Sequence, residues 1–167
     1  MKVLILLIVL ITGCGSEILN KKEIDPLVLD QTMGFVHRCQ FEGICNYEYL
    51  RLVSVKFTDI ETEGTLGTCT IYKNGDRKII LDNSIKGTAY LEIVVYHELA
   101  HCLLNLPHYE EELDIMNAYV PSPERYNKNR KELLDKVFKR GKQNSFMPWK
   151  IGKILQKNHP HNCNHTH

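Results

Sequence analysis

The stretch from about Thr88 to Leu106 constrains this chain more than any other. Its apolar positions, among them Ile93, Val94, Leu99, Leu103 and Leu106, recur at helical spacing and predict a helix. Set into it is His97-Glu98-Leu99-Ala100-His101. Residues four apart lie on one helical face, so the two imidazoles converge on one point, as two ligands of a single Zn²⁺ must. Glu98 sits about 100° round the helix from His97, beside that point without being a ligand, where a carboxylate can accept a proton from water. A third imidazole, His108, follows the helix after Asn105-Leu106-Pro107. Asn tolerates the left-handed conformation that ends a helix and Pro forbids its continuation, so the chain can swing His108 back toward His97 and His101. Three protein ligands leave a fourth position open for water. Beyond them comes Asp114-Ile115-Met116-Asn117, with an isolated Met in a polar stretch.

The first residues belong to a different problem. Met1-Lys2 carries one charge, Val3 to Ile11 is an unbroken apolar run, and Thr12-Gly13-Cys14 follows. So short a run cannot span a bilayer and reads as an export signal. The ending Ile11-Thr12-Gly13-Cys14 resembles the bacterial lipobox, which implies cleavage before Cys14 and lipidation of its thiol; a simple secretory signal cleaved nearby is the alternative. Gly15 in place of Asp is similar to lipoproteins sent to an outer membrane, where the host has one. The expected boundaries are therefore 1–13 signal peptide, 14–24 tether, 25–157 folded domain and 158–167 a polar, His-rich tail. The whole chain has 21 Lys and Arg against 20 Asp and Glu, and loses Lys2 with the signal, so the mature domain is neutral. That balance gives no support to nucleic-acid binding. Export also sets an oxidising compartment for Cys39, Cys45, Cys69, Cys102 and Cys163. Their number is odd, so at least one stays unpaired. Cys39 and Cys45 can close a short local loop, and Cys163 in the tail is the expected remainder.

Between tether and tail the order of elements is mixed. Asp25-Pro26 reads as a helix start, and the segment to about Cys39 carries Leu27, Val28, Phe35 and Val36 for burial. Arg51 to Thr58 alternates as a strand. Thr68–Tyr72 and Arg77–Asp82 flank Lys73-Asn74-Gly75-Asp76, a hairpin signal that suits a tight primed turn. After the helix at 88–106, Ser122-Pro123 opens a second long one to Arg140, with a buried stripe of Tyr126, Leu133, Leu134, Val137 and Phe138, closed by Gly141. With 43% hydrophobic positions in 167 residues, one domain with one core is expected. His37 stands alone in the first helix and reads as an ordinary surface or partly buried side chain.

The run H-E-L-A-H-C-L-L-N-L-P-H followed by I-M-N resembles the metzincin clan of zinc metalloendopeptidases, and in particular small bacterial and phage-type members with H-E-x-x-H-C-x-L-N-x-x-H. The resemblance implies that His97, His101 and His108 are zinc ligands, that Glu98 is the general base, and that Met116 is the Met-turn methionine. It also implies an α+β fold, in which a small twisted sheet with an antiparallel edge strand packs on the active-site helix and a C-terminal helix completes the domain. Leu66 to Tyr72 fills the place of that edge strand, Arg77 to Asp82 is the next strand, and Cys69 then lies near the helix, which pairs it with Cys102. The chain departs from the clan in two respects. Leu104 stands where Gly is usual, with one additional residue before the third His, so Asn105 takes over the turn. Tyr119 stands three after Met116, not two, which leaves it a role as pocket wall or core. The run Glu110-Glu111-Glu112, or Asp114, is the alternative source of a third ligand.

The implied activity is hydrolysis of peptide bonds in a peptide or protein substrate, with one catalytic Zn²⁺, by a monomer held to the bacterial membrane through Cys14. The alternative is a non-enzymatic surface lipoprotein, a degenerate zincin or a metal-binding protein, whose tail with His159, His161, Cys163, His165 and His167 captures metal loosely.

Overall fold

A computed structural model describes residues 23–45 and 49–145 of the chain. The expected signal peptide, Cys14, the tether up to Lys22, and everything after Ser145, with Cys163 and the His-rich tail, lie outside the described residues.

The fold is a small α+β domain. Asp25 begins it as expected: its carboxylate accepts from the Leu27 amide at 2.9 Å, and Pro26 opens a 3₁₀ turn, Pro26–Val28, that runs into helix α1, Leu29–Phe41. Thr32, Phe35, Val36 and Cys39 form the buried face of α1, spaced by three or four residues. Leu27 departs from expectation and is exposed, while Val28 beside it in the same 3₁₀ turn is buried. At the far end the Gly43 amide donates to Gln40 and the Ile44 amide to Cys39, a Schellman closure that the Cys39–Cys45 disulfide fastens.

A short helix α2, Tyr49–Leu52, leads into strand β1, Val53–Thr58; Arg51 and Leu52, expected at the start of the strand, are its last helical turn. Strand β2, Gly67–Ile71, and strand β3, Arg77–Asp82, form the expected hairpin. Its connection is not a primed turn. The Gly75 amide donates to Tyr72 and the Tyr72 amide to Asp76, and Gly75 alone takes a positive φ, 89°, while Asn74 does not. This is a three-residue loop of the bulged type, and the Asn74 side chain, accepting from the Asp76 amide at 3.0 Å, holds it.

The sheet order is β1-β3-β2, with β1 parallel and β2 antiparallel to the central β3. The chain therefore crosses from one edge to the other and returns to the middle by the hairpin. Register places Val55, Ile79 and Cys69 in one row and Phe57, Leu81 and Gly67 in the next. Val53, Val55, Cys69, Ile79 and Leu81 are all buried, as one packed face of period two requires.

Against that face lies helix α3, Leu91–Leu104, shorter than the expected span and buried at every position from Ile93 to Leu104. A helix apolar on all sides must be covered on all sides. Here β2 and β3 cover one side, α1 a second, and the long helix α4, Pro123–Ser145, a third. The stripe Tyr126, Leu133, Leu134, Val137 and Phe138 is buried as expected. Helix α4 runs past Gly141 instead of ending there. A Cβ at Gly141 would come within 2.8 Å of Leu104 Cδ1, so this glycine serves close packing of α4 against the end of α3. Two polar links fix the same pair of helices. Glu92 accepts from Tyr126 Oη at 2.8 Å and from Arg130 at 2.6 Å. Burial first, and then that bond to Glu92, push the Tyr126 hydroxyl pKa far above its usual range, so it remains a donor.

Candidate metal centre

The three histidines singled out by their spacing come together. His97 Nε2 lies 2.9 Å from His101 Nε2 and 3.2 Å from His108 Nε2, and the last two are 3.1 Å apart. His97 and His101 project from one face of α3, one turn apart, and both are buried. His108 is half-buried and arrives from beyond the helix end. Asn105 makes that possible: it stands in the left-handed region, φ 52° and ψ 38°, the one non-glycine to do so among the described residues. The Leu106 amide then donates back to Ala100, Leu106 is buried, and the chain turns. The helix thus ends at Leu104 with Asn105 as its left-handed cap, where the sequence expects it to stop.

The remaining ring nitrogens decide what the cluster can hold. His97 Nδ1 is 2.6 Å from the Ile115 carbonyl and His101 Nδ1 is 2.6 Å from the Leu106 carbonyl. A carbonyl oxygen only accepts, so each Nδ1 carries the proton, and in the neutral rings both Nε2 atoms present lone pairs. The contact between them then sets lone pair against lone pair. A cation at the centre of the three Nε2 atoms would be attracted by each of those lone pairs. A tetrahedral zinc site with imidazole donors at ~2.0–2.1 Å places its donors roughly 3.3 Å from one another, close to the spacing here. Carbonyls that fix tautomer and ring orientation are the usual outer partners of metal-binding histidines. The residues present therefore fit a metal ion, and among the described residues this is the one such group. The half-buried His108 marks its solvent side.

The expected Met-turn is a tight turn at 114–117. Asp114 accepts from the Met116 amide through Oδ1 at 2.8 Å, and the Asn117 amide donates to the Asp114 carbonyl. Met116 is fully buried, and its carbonyl accepts from Tyr109, the residue after His108, at 2.9 Å. The turn thus ties the approach of His108 to the carbonyl that orients His97. Three of the four carboxylates weighed as alternative ligands face cations instead: Glu111 meets Arg140 and Lys136, Glu112 meets Arg125, and Asp114 meets Arg140, while Glu110 is exposed. Tyr119 is 57% exposed, which removes it from the core.

Glu98 is wholly buried and faces β2. Positions 98 and 102 are one turn apart on α3, positions 67 and 69 are two apart on β2, and the two repeats nearly match in length. Hence Cys69 and Cys102 close a disulfide, with Cα atoms 5.7 Å apart, while Gly67 lies over Glu98. A Cβ at Gly67 would stand 2.8 Å from Glu98 Cγ and 2.9 Å from Oε1. Gly67 is a site residue that the sequence reading did not single out. Its signal was a glycine at the head of a strand pattern, which marks close approach of another group. Gly67→Ala is expected to cost about 1–3 kcal/mol in denaturant unfolding, the usual penalty of overpacking. In a Glu98→Ala background most of that cost should vanish, because the obstructing atoms are gone. An undiminished penalty would place its cause elsewhere.

No family model, characterised protein or solved structure matches this chain.

Proposed function

We propose that the chain is a zinc metalloendopeptidase of the metzincin type, exported and held at a membrane through lipidated Cys14. The observation that carries this reading is the convergence of three Nε2 atoms within 3.2 Å, with the Nδ1 protons of His97 and His101 committed to carbonyls. Imidazole donors in a tetrahedral arrangement with an open fourth position favour zinc. When bound there, the ion supplies a Lewis acid that acidifies water and polarises a peptide carbonyl. Glu98, next to His97 on α3, takes the proton of the attacking water and passes it to the leaving amine. Strand β2 is an edge, paired with β3 alone among the described residues, and its outer side receives an extended peptide by β-augmentation. Gly67 and the Cys69–Cys102 bond hold that strand over Glu98. The Cys39–Cys45 and Cys69–Cys102 disulfides support an oxidising compartment.

A quenched-fluorescent peptide library tests the activity. The zinc-loaded protein is expected to cleave a subset of the library, to lose that cleavage in chelator, and to regain it on addition of zinc. No cleavage by protein holding one equivalent of zinc would overturn the peptidase reading and leave a metal-binding lipoprotein.

A further inference from the structure

We propose that Arg140, late in α4, is a positioning residue that sets the metal affinity of the three-histidine centre; this rests on reading that centre as a metal site. Arg140 donates through Nη1 to Asp114 Oδ2 at 2.5 Å and through Nη2 to Glu111 at 2.6 Å, and its guanidinium carbon lies 3.8 Å from the centre of the Tyr109 ring. It therefore grips both ends of the excursion between His108 and the 114–117 turn. Tyr109 adjoins His108. Asp114 adjoins Ile115, whose carbonyl receives the His97 Nδ1 proton at 2.6 Å. The second oxygen of Asp114 caps Met116, whose carbonyl in turn receives the Tyr109 amide. One planar cation closes this ring of contacts from a helix that supplies no ligand. Asp114 is fully buried and the Arg140 side chain is 16% exposed, hence the pair is screened less than one on the open surface.

The geometry assigns the loop two jobs, orienting His97 and delivering His108. His101, held by Leu106, lies outside its reach. Lysine keeps the charge of Arg140 but has neither the fork that serves two carboxylates nor the flat face that covers Tyr109. Loss of an outer partner of a ligand costs about 10–100-fold in metal affinity, and that is the expected effect of Arg140→Lys.

The test is zinc affinity of the full chain, measured by competition with a chromophoric chelator, beside thermal unfolding of the metal-free protein. Arg140→Lys should raise the zinc Kd ~10–100-fold while the metal-free variant is still folded at the assay temperature. Asp114→Asn with Arg140→Gln removes both charges and leaves the Asn oxygen to cap Met116, so it remains available should the single variant unfold; the same rise is expected. Arg130→Lys, on the same helix but paired with Glu92, should leave the Kd unchanged. A folded Arg140→Lys or paired variant within twofold of the parent Kd would overturn the proposal, as would an equal loss in Arg130→Lys. A parent chain that binds no zinc would overturn the metal-site reading itself, a separate outcome seen before any variant is made.

Discussion

Replacing His108 by alanine is expected to abolish tight zinc binding without unfolding the domain. His108 is the half-buried member of the three, so its removal opens little cavity, and His97 and His101 keep their carbonyl partners at Ile115 and Leu106. Two donors then remain of three, and the loss should exceed the ~10–100-fold that removal of an outer partner causes. The change is also visible in stability. An ion that binds only the folded state adds RT ln(1 + [L]/Kd), about 2.7 kcal/mol at a hundred times Kd, so zinc should raise the unfolding temperature of the parent and leave that of His108→Ala unchanged. The comparison belongs on protein ending at Lys157, which removes the His-rich tail and any metal it takes up. One tightly held equivalent in that variant would move the third ligand to Glu110, Glu111, Glu112 or Asp114. The ion pairs of Glu111, Glu112 and Asp114 with Arg140, Lys136 and Arg125 argue against that outcome.

The parts of this centre that local sequence specifies were legible. The spacing of His97 and His101 is a statement about one helix, and Asn105 with Pro107 is a statement about where that helix stops. Both depend on neighbours in the chain, and Asn105 indeed adopts the left-handed turn. The run Arg77 to Asp82 is a strand with the expected bounds, because its alternation and the flanking Asn-Gly are local signals too. The Cys69–Cys102 bond came from resemblance to a known arrangement of strand and helix, and the fold contains it. What escaped was set by contacts distant in sequence. The parallel pairing of β1 with β3 across the crossover leaves no mark on either strand alone. Gly141 reads as a helix stop by conformational preference, but the approach of Leu104 from another helix decides its use. Arg140 looks like any basic residue on the polar face of α4 until the fold brings Asp114, Glu111 and Tyr109 to it. One difference is local: Asn74-Gly75 suits a primed turn by type, yet the Asn74 side chain, bonded to the Asp76 amide two residues on, stabilises a bulged loop with Asn74 at negative φ.

Glu98→Gln is expected to retain zinc and lose hydrolysis. The two side chains have nearly the same shape, which matters where Gly67 leaves so little room over Cγ and Oε1. Glutamine fills the same space, but its amide cannot take the proton of an attacking water. General-base catalysis contributes about 10²–10⁴-fold, so kcat/KM on a peptide selected from the library should fall by at least that range. Stability should hold or rise, since a fully buried carboxylate is exchanged for a neutral amide that needs less solvation. The three readouts separate the roles that Glu98 can have. Activity within tenfold of the parent would remove it as the base. Loss of activity together with loss of zinc would make it a support of the metal centre, acting through His97 beside it. Loss of activity with zinc affinity and unfolding temperature intact is the pattern that places the proton transfer on Glu98, and it also distinguishes a working peptidase from a chain that only holds metal.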